Sequence, residues 1–477
     1  MSSEQNKFIK SLRDERNIWL NGKKIDITTD ENFKGTLKTI SELLSMLDHP
    51  EQRERVGYLS PKTKEFVHTA FYVPHSYEDV VKRRIAFETW SQSTDGVMSR
   101  LSDYARSRLT GWYASREDYK KFDKHFPGKI KTYYEKARDE HLFLSIIQRD
   151  PQINRASQAS NDLKDLGLLR ITKKTSDGVF LDGAKMIGTA APYSNDLIVY
   201  PLSPLKEDQK CLAHMLVVAP NSPGMHMVCR EPFASHKEQQ ANAPLSKKYD
   251  EMDALLIFDH VFVPWERVLL YDNPEALWKI KLDSTSNSLA YHQAVVRLLT
   301  KLEFVTAIAL EIAEAIGADS YLHVQEKMGE LIMQVETIRA LLIASEREGK
   351  TNHHHTYIPN FTYIETARNL GSKYYPRALE ILQLIGAGGF IQLPASIEDF
   401  QSPLSSLMNK YFAGANTGAE QRTKLFKLAW DLVGSPLGSR HELYERFYAG
   451  DPIRNTANQY HHYDKQKLKQ MVKKYIS

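Results

Sequence analysis

Residues 141–155, HLFLSIIQRDPQINR, decide how this chain is read. They begin with an apolar run that reads as half a helix, continue through Asp150-Pro151-Gln152 and end on an arginine, Arg155. Before them the sequence is polar and helical in pattern. After them it is rich in short strand-like runs. The stretch therefore reads as a hinge between two architectures.

Working outward toward the N-terminus, YEDVVKRRIAFETW at residues 77–90 spaces apolar residues at helical intervals among charges, with Pro74 upstream as a start signal. Residues 119–149 repeat the pattern, with Pro127-Gly128 as the expected break. Toward the C-terminus, from Leu168 to about Tyr271, the period shortens. VFLDGAKMIGTAA, DLIVYPL, LAHMLVVAP and DALLIFDHVFVPWERVLLY are β-rich runs punctuated by Gly, Pro, Asn and Asp. Several short strands without long helices between them suggest an antiparallel barrel or sandwich, not a doubly wound sheet. After Asn287 the chain is helical again. Leu302, Val305, Ile308, Ala309 and Ile312 mark one apolar stripe, and Leu331, Ile332, Val335, Ile338, Leu341 and Leu342 a second. Helices over 363–384 and 418–432 would complete a four-helix bundle. The expected domains are a helical one at 1–150, a β-barrel at 151–280, and at 281–477 a four-helix bundle with an oligomerising tail.

The 477 residues, 42% hydrophobic and 26% charged, are ample for more than one packed unit. A net charge of +4, from 63 basic and 59 acidic residues, gives no nucleic-acid or membrane signature, so small molecules and other proteins are the expected partners. Two cysteines, Cys211 and Cys229, rule out a disulfide framework or a cysteine-rich metal cluster as the organising principle. The charged N-terminus lacks the apolar core of a signal peptide, and no run reaches the roughly 18 apolar residues of a membrane helix. A cytoplasmic chain is expected.

Dinucleotide and Walker fingerprints are missing. Gly386-Ala387-Gly388-Gly389 follows a helix-like run and reads as a helix end. The triple histidine 353–355 has no spaced carboxylate beside it, so no metal site is expected there. In TDGVMSRLSDY, residues 94–104, Arg100 and Tyr104 would share one helical face and cradle an anionic oxygen; a surface pair is the plainer alternative. Gly183-Ala184-Lys185 and Thr189 lie at a strand and turn, where a hydroxyl and backbone donors meet a planar cofactor or simply close a β-turn. His292, in HQAVVRLLTKLEF, is a base or a packed structural histidine. The stretch 438–452, GSRHELYERFYAGDP, packs charge and aromatics against a glycine turn, as an interface or a ligand edge does.

In order and spacing, RDPQINR, GAKMIGTAAP, DHVFVPWERV, HQAVVRLLTKLEF, LAWDLVGS and GSRHELYERFYAGDP resemble blocks of the flavin-dependent aromatic monooxygenases typified by 4-hydroxyphenylacetate 3-monooxygenase. The resemblance runs from about residue 7 to 455. It implies a mainly α fold with a central β-barrel, similar to acyl-CoA dehydrogenases, assembled as a homotetramer. It also implies FAD, used as FADH2 delivered by a separate NAD(P)H-dependent flavin reductase, with O2 as co-substrate. The implied reaction is ortho-hydroxylation of a phenol through a C4a-hydroperoxyflavin. Arg100 and Tyr104 match the family's substrate-contacting pair, although SRLSDY stands where close relatives read GRSPDY. Gln148, Gln152, Arg155 and Thr189 match flavin-lining positions, Gly450, Asp451 and Pro452 match a C-terminal flavin contact, and His292 matches a histidine used as a base in some members.

One departure stands out. Relatives carry a threonine-histidine pair before the Pro-Gln motif, where this chain has Ser145 and Ile146. On a helix, His141, five residues before Ile146, points about 140° away and cannot substitute. Either His292 takes over or the substrate differs, which leaves open N-oxidation, a biosynthetic aromatic hydroxylation, or a non-catalytic flavin-binding homologue. The dehydratase that shares these blocks, 4-hydroxybutyryl-CoA dehydratase, needs cluster-binding cysteines where Ser99 and Asp103 stand.

Overall fold

The apolar run at the hinge is a strand, Leu144–Ile147, and not half a helix. It pairs in parallel with Asp196–Val199, setting Ile146 opposite Ile198, and the Leu144 N–H donates to Ser102 Oγ at 2.7 Å. Adjacent β-branched Ile146 and Ile147 favour the pleat once such a partner exists. A helical half-turn between His141 and Ile146 therefore does not exist. His141 sits instead at φ 56° just after the helix Phe126–Asp139, with Nδ1 3.6 Å from Glu4 and its carbonyl accepting from Arg106.

The computed structural model describes residues 3–153, 167–233 and 240–476. They form two units: one of Met1–Lys301, Thr351–Ile358 and Ala395–Ile397, the other of Leu302–Lys350, Pro359–Pro394 and Glu398–Ser477. The boundary between the first two segments falls inside the helix Ser284–Ala315.

The first unit opens with helices. Tyr77–Gln92 is started by a capping box, Ser76 with Asp79, rather than by Pro74 alone. Its Arg83 is fully buried because three carbonyls, of Thr69, Ala70 and Tyr72, and the Ser107 hydroxyl accept from it. Pro127, expected as a break, is in the first turn of Phe126–Asp139, where its missing N–H costs nothing. The sheets draw strands from both sides of the hinge, so the stretch 1–150 is not purely helical: a six-stranded sheet is ordered Lys23–Ile25, Asn17–Leu20, Met225–Cys229, Ala254–Pro264, Gly178–Lys185 and Arg170–Lys174, and a four-stranded one Val268–Tyr271, His214–Val218, Asp196–Val199 and Leu144–Ile147. Both are open, and among the described residues no closed barrel forms. The outer strands of the larger sheet carry exposed lysines, Lys23 and Lys24 at one edge and Lys173 and Lys174 at the other, which keeps those edges unpaired.

The second unit is built of helices, among them Leu322–Arg347, Phe361–Gly386, Ala419–Val433 and Pro436–Phe447. Leu302, Val305, Ile308, Ala309 and Ile312 are buried as the periodicity predicts, and so are Leu331, Val335, Ile338 and Leu342. Ile332 is not; it is 48% exposed, one position off the buried face.

Candidate functional site

Two glycines bring the Arg100 segment against the helix Ser284–Ala315 within the first unit. Gly96, at φ 65°, lies so close to Lys301 that a Cβ would meet its backbone nitrogen at 2.6 Å; at Gly111 a Cβ would meet Ser286 Cα at 2.2 Å. Arg100 itself precedes the helix Ser102–Ala114, so the shared-face argument does not apply to it. The pair forms nonetheless: the guanidinium lies 4.5 Å from the centre of the Tyr104 ring. Both side chains are half-buried, open on one side.

Behind them the site is polar and tightly bonded. Asp103 is fully buried and takes 3.1 Å hydrogen bonds from Gln293 Nε2 on both oxygens. Burial pushes its carboxyl up to about 6, against the pull of Gln293 and Arg106. Arg108, one turn beyond Tyr104, is in electrostatic reach of the phenols of Tyr200, Tyr104 and Tyr291, and donates to Asn287 and to the Lys281 carbonyl. Burial raises the Tyr200 phenol to about 12. Gln148, just past the hinge strand, donates to the Tyr200 hydroxyl. Strand alternation puts Ile146 on the same face as Gln148, half-buried and packed against the cluster that contains Ala105, Leu109 and Tyr200. Ser145 points the other way, to Ser194 Oγ at 2.7 Å. His292, next to Gln293 in the chain, is fully buried and edge-on to Phe87, with ring centres 6.0 Å apart.

Thr189 belongs to a second network. Its hydroxyl donates to Asp253 at 2.6 Å, and Arg230 donates to the other Asp253 oxygen at 3.0 Å. Ile187, a β-branched residue at φ 55°, and Ala190 at φ 65° flank it. The turn is pinned from Gly188 to Ala254 and from Ala190 to Met252. Ile187 holds this strained conformation with its side chain 44% exposed. The two networks are joined by one short segment: Glu251 Oε1 accepts the Arg100 N–H at 2.5 Å, two residues before Asp253. The Met186 N–H also donates to the Arg149 carbonyl at 2.9 Å, tying the Thr189 turn to the Gln148 strand end. Gln152 is exposed beyond that end.

Arg155 lies outside the described residues. Gly450, Asp451 and Pro452 belong to the second unit, where Gly450 takes φ 111° and Asp451 caps the helix Pro452–His462 by accepting from Ile453 and Arg454. A charged cleft of about 420 Å³ in that unit, lined by Lys373, Arg377, Glu380, Glu442 and Arg446 among others, contains none of the expected site residues. Sequence reading missed Glu251, Asp253, Arg108, Tyr200 and Gln293. Asp103, Tyr200, Asp253 and Gln293 stood in quoted runs without a task, and nothing local marks them, Glu251 or Arg108, since the partners they meet are far away in the chain.

Comparison with known proteins adds a second line of evidence. The family model described as 4-hydroxyphenylacetate 3-hydroxylase N terminal matches residues 4–270, and its C-terminal counterpart matches 282–477. The chain is 34% identical over 461 residues to the 4-hydroxyphenylacetate 3-monooxygenase oxygenase component of Thermus thermophilus, covering 96% of this chain and 94% of the relative. It is 33% identical over 467 residues to a probable 4-hydroxyphenylacetate 3-monooxygenase of Bacillus subtilis, covering 97% and 95%. A crystal structure of the oxygenase component of 4-hydroxyphenylacetate 3-monooxygenase, complexed with FAD and 4-hydroxyphenylacetate, superposes with a TM-score of 0.94 at 33% identity, over 100% of this chain and 98% of that one.

Proposed function

Because the chain belongs to the 4-hydroxyphenylacetate 3-hydroxylase family, we propose that it is the oxygenase component of a two-component monooxygenase, hydroxylating a phenol of the 4-hydroxyphenylacetate type beside its hydroxyl. The observation that carries the assignment of the substrate end is the Arg100 guanidinium over the Tyr104 ring, half-buried above a fully buried polar layer. A phenol placed against that cation ionises more readily, and its ring carbon beside the oxygen becomes the nucleophile. Tyr104 hydrogen-bonds the same oxygen. Ile146 offers an apolar wall to the ring and no proton. His292 is the candidate base, and the buried aromatic packing keeps water from the ring.

Gln148, Gln152 and Thr189 would hold FAD, and the strained, partly exposed turn at Ile187–Ala190 fits an edge kept for a planar ligand. Arg155 and Gly450 to Pro452 belong to the same assignment. When bound, reduced FAD would supply the activation of O2, one atom of which enters the ring while the other leaves as water. A separate NAD(P)H-dependent reductase would supply the reduced cofactor. The same reading keeps the acyl-CoA dehydrogenase-like plan, with divisions near residues 150 and 280, and a homotetramer. The helix Gln466–Ile476 supports an oligomerising tail, since Leu468, Met471, Val472, Tyr475 and Ile476 recur at helical spacing and are all more than half exposed. No helix among the described residues is long and apolar enough to cross a membrane, and the two free cysteines fit a reducing cytoplasm.

The test is turnover. The purified chain, supplied with FAD, NADH, O2, a flavin reductase and 4-hydroxyphenylacetate, should yield a product one oxygen atom heavier, with NMR placing the new hydroxyl ortho to the old. Oxygen on nitrogen, or no oxygenated product with any phenol tried, would overturn the assignment. Ile146 favours one variation, a phenol whose hydroxyl is held by Arg100 and Tyr104 without a histidine.

A further inference from the structure

We propose that Asp118, His353 and His354 bind a divalent transition-metal ion of the Zn²⁺ and Ni²⁺ class, at a place that shares no residue with the hydroxylation site. The histidine run has no carboxylate near it in sequence. The fold supplies one from the 3-10 turn Arg116–Tyr119, 235 residues before His353. His353 Nε2 lies 3.0 Å from Asp118 Oδ1, and His354 Nε2 lies 2.9 Å from Oδ2. One donor atom from each of the three residues falls within 4.8 Å of the others. Metal–ligand bonds of about 2.0–2.2 Å in a tetrahedral shell set neighbouring donors about 3–3.5 Å apart, so small side-chain rotations suffice.

Two further observations point to a ligand. The Nε2 of His354 is shielded from solvent and aimed at Asp118, with Oδ2 2.9 Å away as its sole polar neighbour among the described contacts. A nitrogen lone pair offered to a metal beside that oxygen satisfies both groups. The backbone is also set in advance. Asn352 Oδ1 accepts from the N–H groups of His354 and Thr356 at 3.0 and 3.1 Å, and Asn352 Nδ2 donates to Thr285 at 2.9 Å. The His355 carbonyl accepts from His75 at 2.7 Å. Only the two rings and one carboxylate need to move.

Two imidazoles and one carboxylate suit borderline ions better than Mg²⁺ or Ca²⁺, which take oxygen shells, and no thiolate is present to select Cu(I). The His353 side chain is 70% exposed and that of Asp118 43%, so the ion reaches the site from solvent and water completes its shell. Bound there, it would clip the segment Thr351–Ile358 to the Arg116–Tyr119 turn, both in the first unit. Because it binds the folded chain, it would raise the melting temperature.

The experiment is calorimetric titration of the full, chelator-stripped protein with Zn²⁺, repeated with Ni²⁺. One ion per chain should bind, with a rise in melting temperature. Binding should weaken at least about tenfold in each of Asp118→Asn, His353→Ala and His354→Ala. The double variant His461→Ala/His462→Ala, at a remote histidine pair, should still bind its ion. Cu²⁺ electron paramagnetic resonance on the unsubstituted protein should show two coordinating nitrogens, which keeps the test open if a variant does not fold. Absence of a saturating equivalent, or an equivalent that survives all three substitutions, would reduce the cluster to an aspartate hydrogen-bonded by histidine.

Discussion

The backbone N–H of Arg100 donates to Glu251 Oε1 at 2.5 Å, across 151 positions of chain, so the loop under the proposed phenol site is anchored independently of the Arg100 side chain. Arg100→Ala therefore removes the guanidinium and leaves the anchor. A charge-assisted hydrogen bond of about 3 kcal/mol predicts a fall of about 100-fold in kcat/KM for hydroxylation, with the affinity for reduced FAD unchanged. Arg100→Lys should recover part of the loss, since it restores charge but not the planar stack on Tyr104. Steady-state kinetics beside flavin-binding titrations decide it. Loss of flavin binding in Arg100→Ala would move the residue out of the substrate site.

His292 is packed edge-on to Phe87 and fully buried, a position equally suited to a base or to core packing. The two roles separate in the pH dependence of the hydroxylation step. If His292 takes the phenolic proton, His292→Ala lowers the rate and flattens the limb of the profile that a base produces. A lower rate with an unchanged profile would assign it to packing.

The apolar stripe of the helix Ser284–Ala315 was legible because periodicity is a local property, and buried Leu302, Val305, Ile308 and Ile312 bear it out, whereas the strands Asn17–Leu20 and Lys23–Ile25, within a stretch expected to be helical, were not. Sheet closure is not local. Strand count alone cannot distinguish a barrel from the two open sheets observed, and the helical reading of Leu144–Ile147 failed because its parallel partner begins at Asp196, some fifty residues on. Arg100 and Tyr104 were readable as a pair because they are four apart, although a long side chain and not a shared helical face brings them together. The layer beneath them was not. Asp103 meets Gln293 across 190 positions, a pairing with no trace in either neighbourhood. The Ser76 and Asp79 box, by contrast, was local and passed over in favour of Pro74.

Ile146 stands where the resemblance places a histidine, on the strand face that carries Gln148 and packed against the buried cluster that contains Tyr200. Ile146→His is close enough in volume to be accepted at a half-buried position, and it returns a donor to the phenol oxygen. With 4-hydroxyphenylacetate the variant should gain about tenfold in kcat/KM, the worth of roughly one hydrogen bond to a charged oxygen. A phenol bound in another pose should gain nothing. Comparing both substrates by oxygenated product formed per minute separates the cases; a uniform loss with all phenols would show that the apolar wall itself is required.

Asp103 offers a prediction about stability rather than turnover. Its carboxyl is held near 6 by burial, above the value of about 3.9 expected in the unfolded chain. Between those two values the folded state holds the proton and the unfolded state releases it, so stability falls as pH rises through that window and stays lowered above it. A shift of about two units corresponds to roughly 3 kcal/mol at pH 8. Asp103→Asn keeps a carbonyl oxygen for Gln293 and removes the buried charge. It should therefore melt at a higher temperature than the unsubstituted chain at pH 8, by several degrees, and the gap should close at pH 4. Thermal unfolding at the two values checks both the sign and the window. A variant destabilised equally at both would mean that the carboxylate charge, balanced by Arg106 and Arg297, holds the layer together.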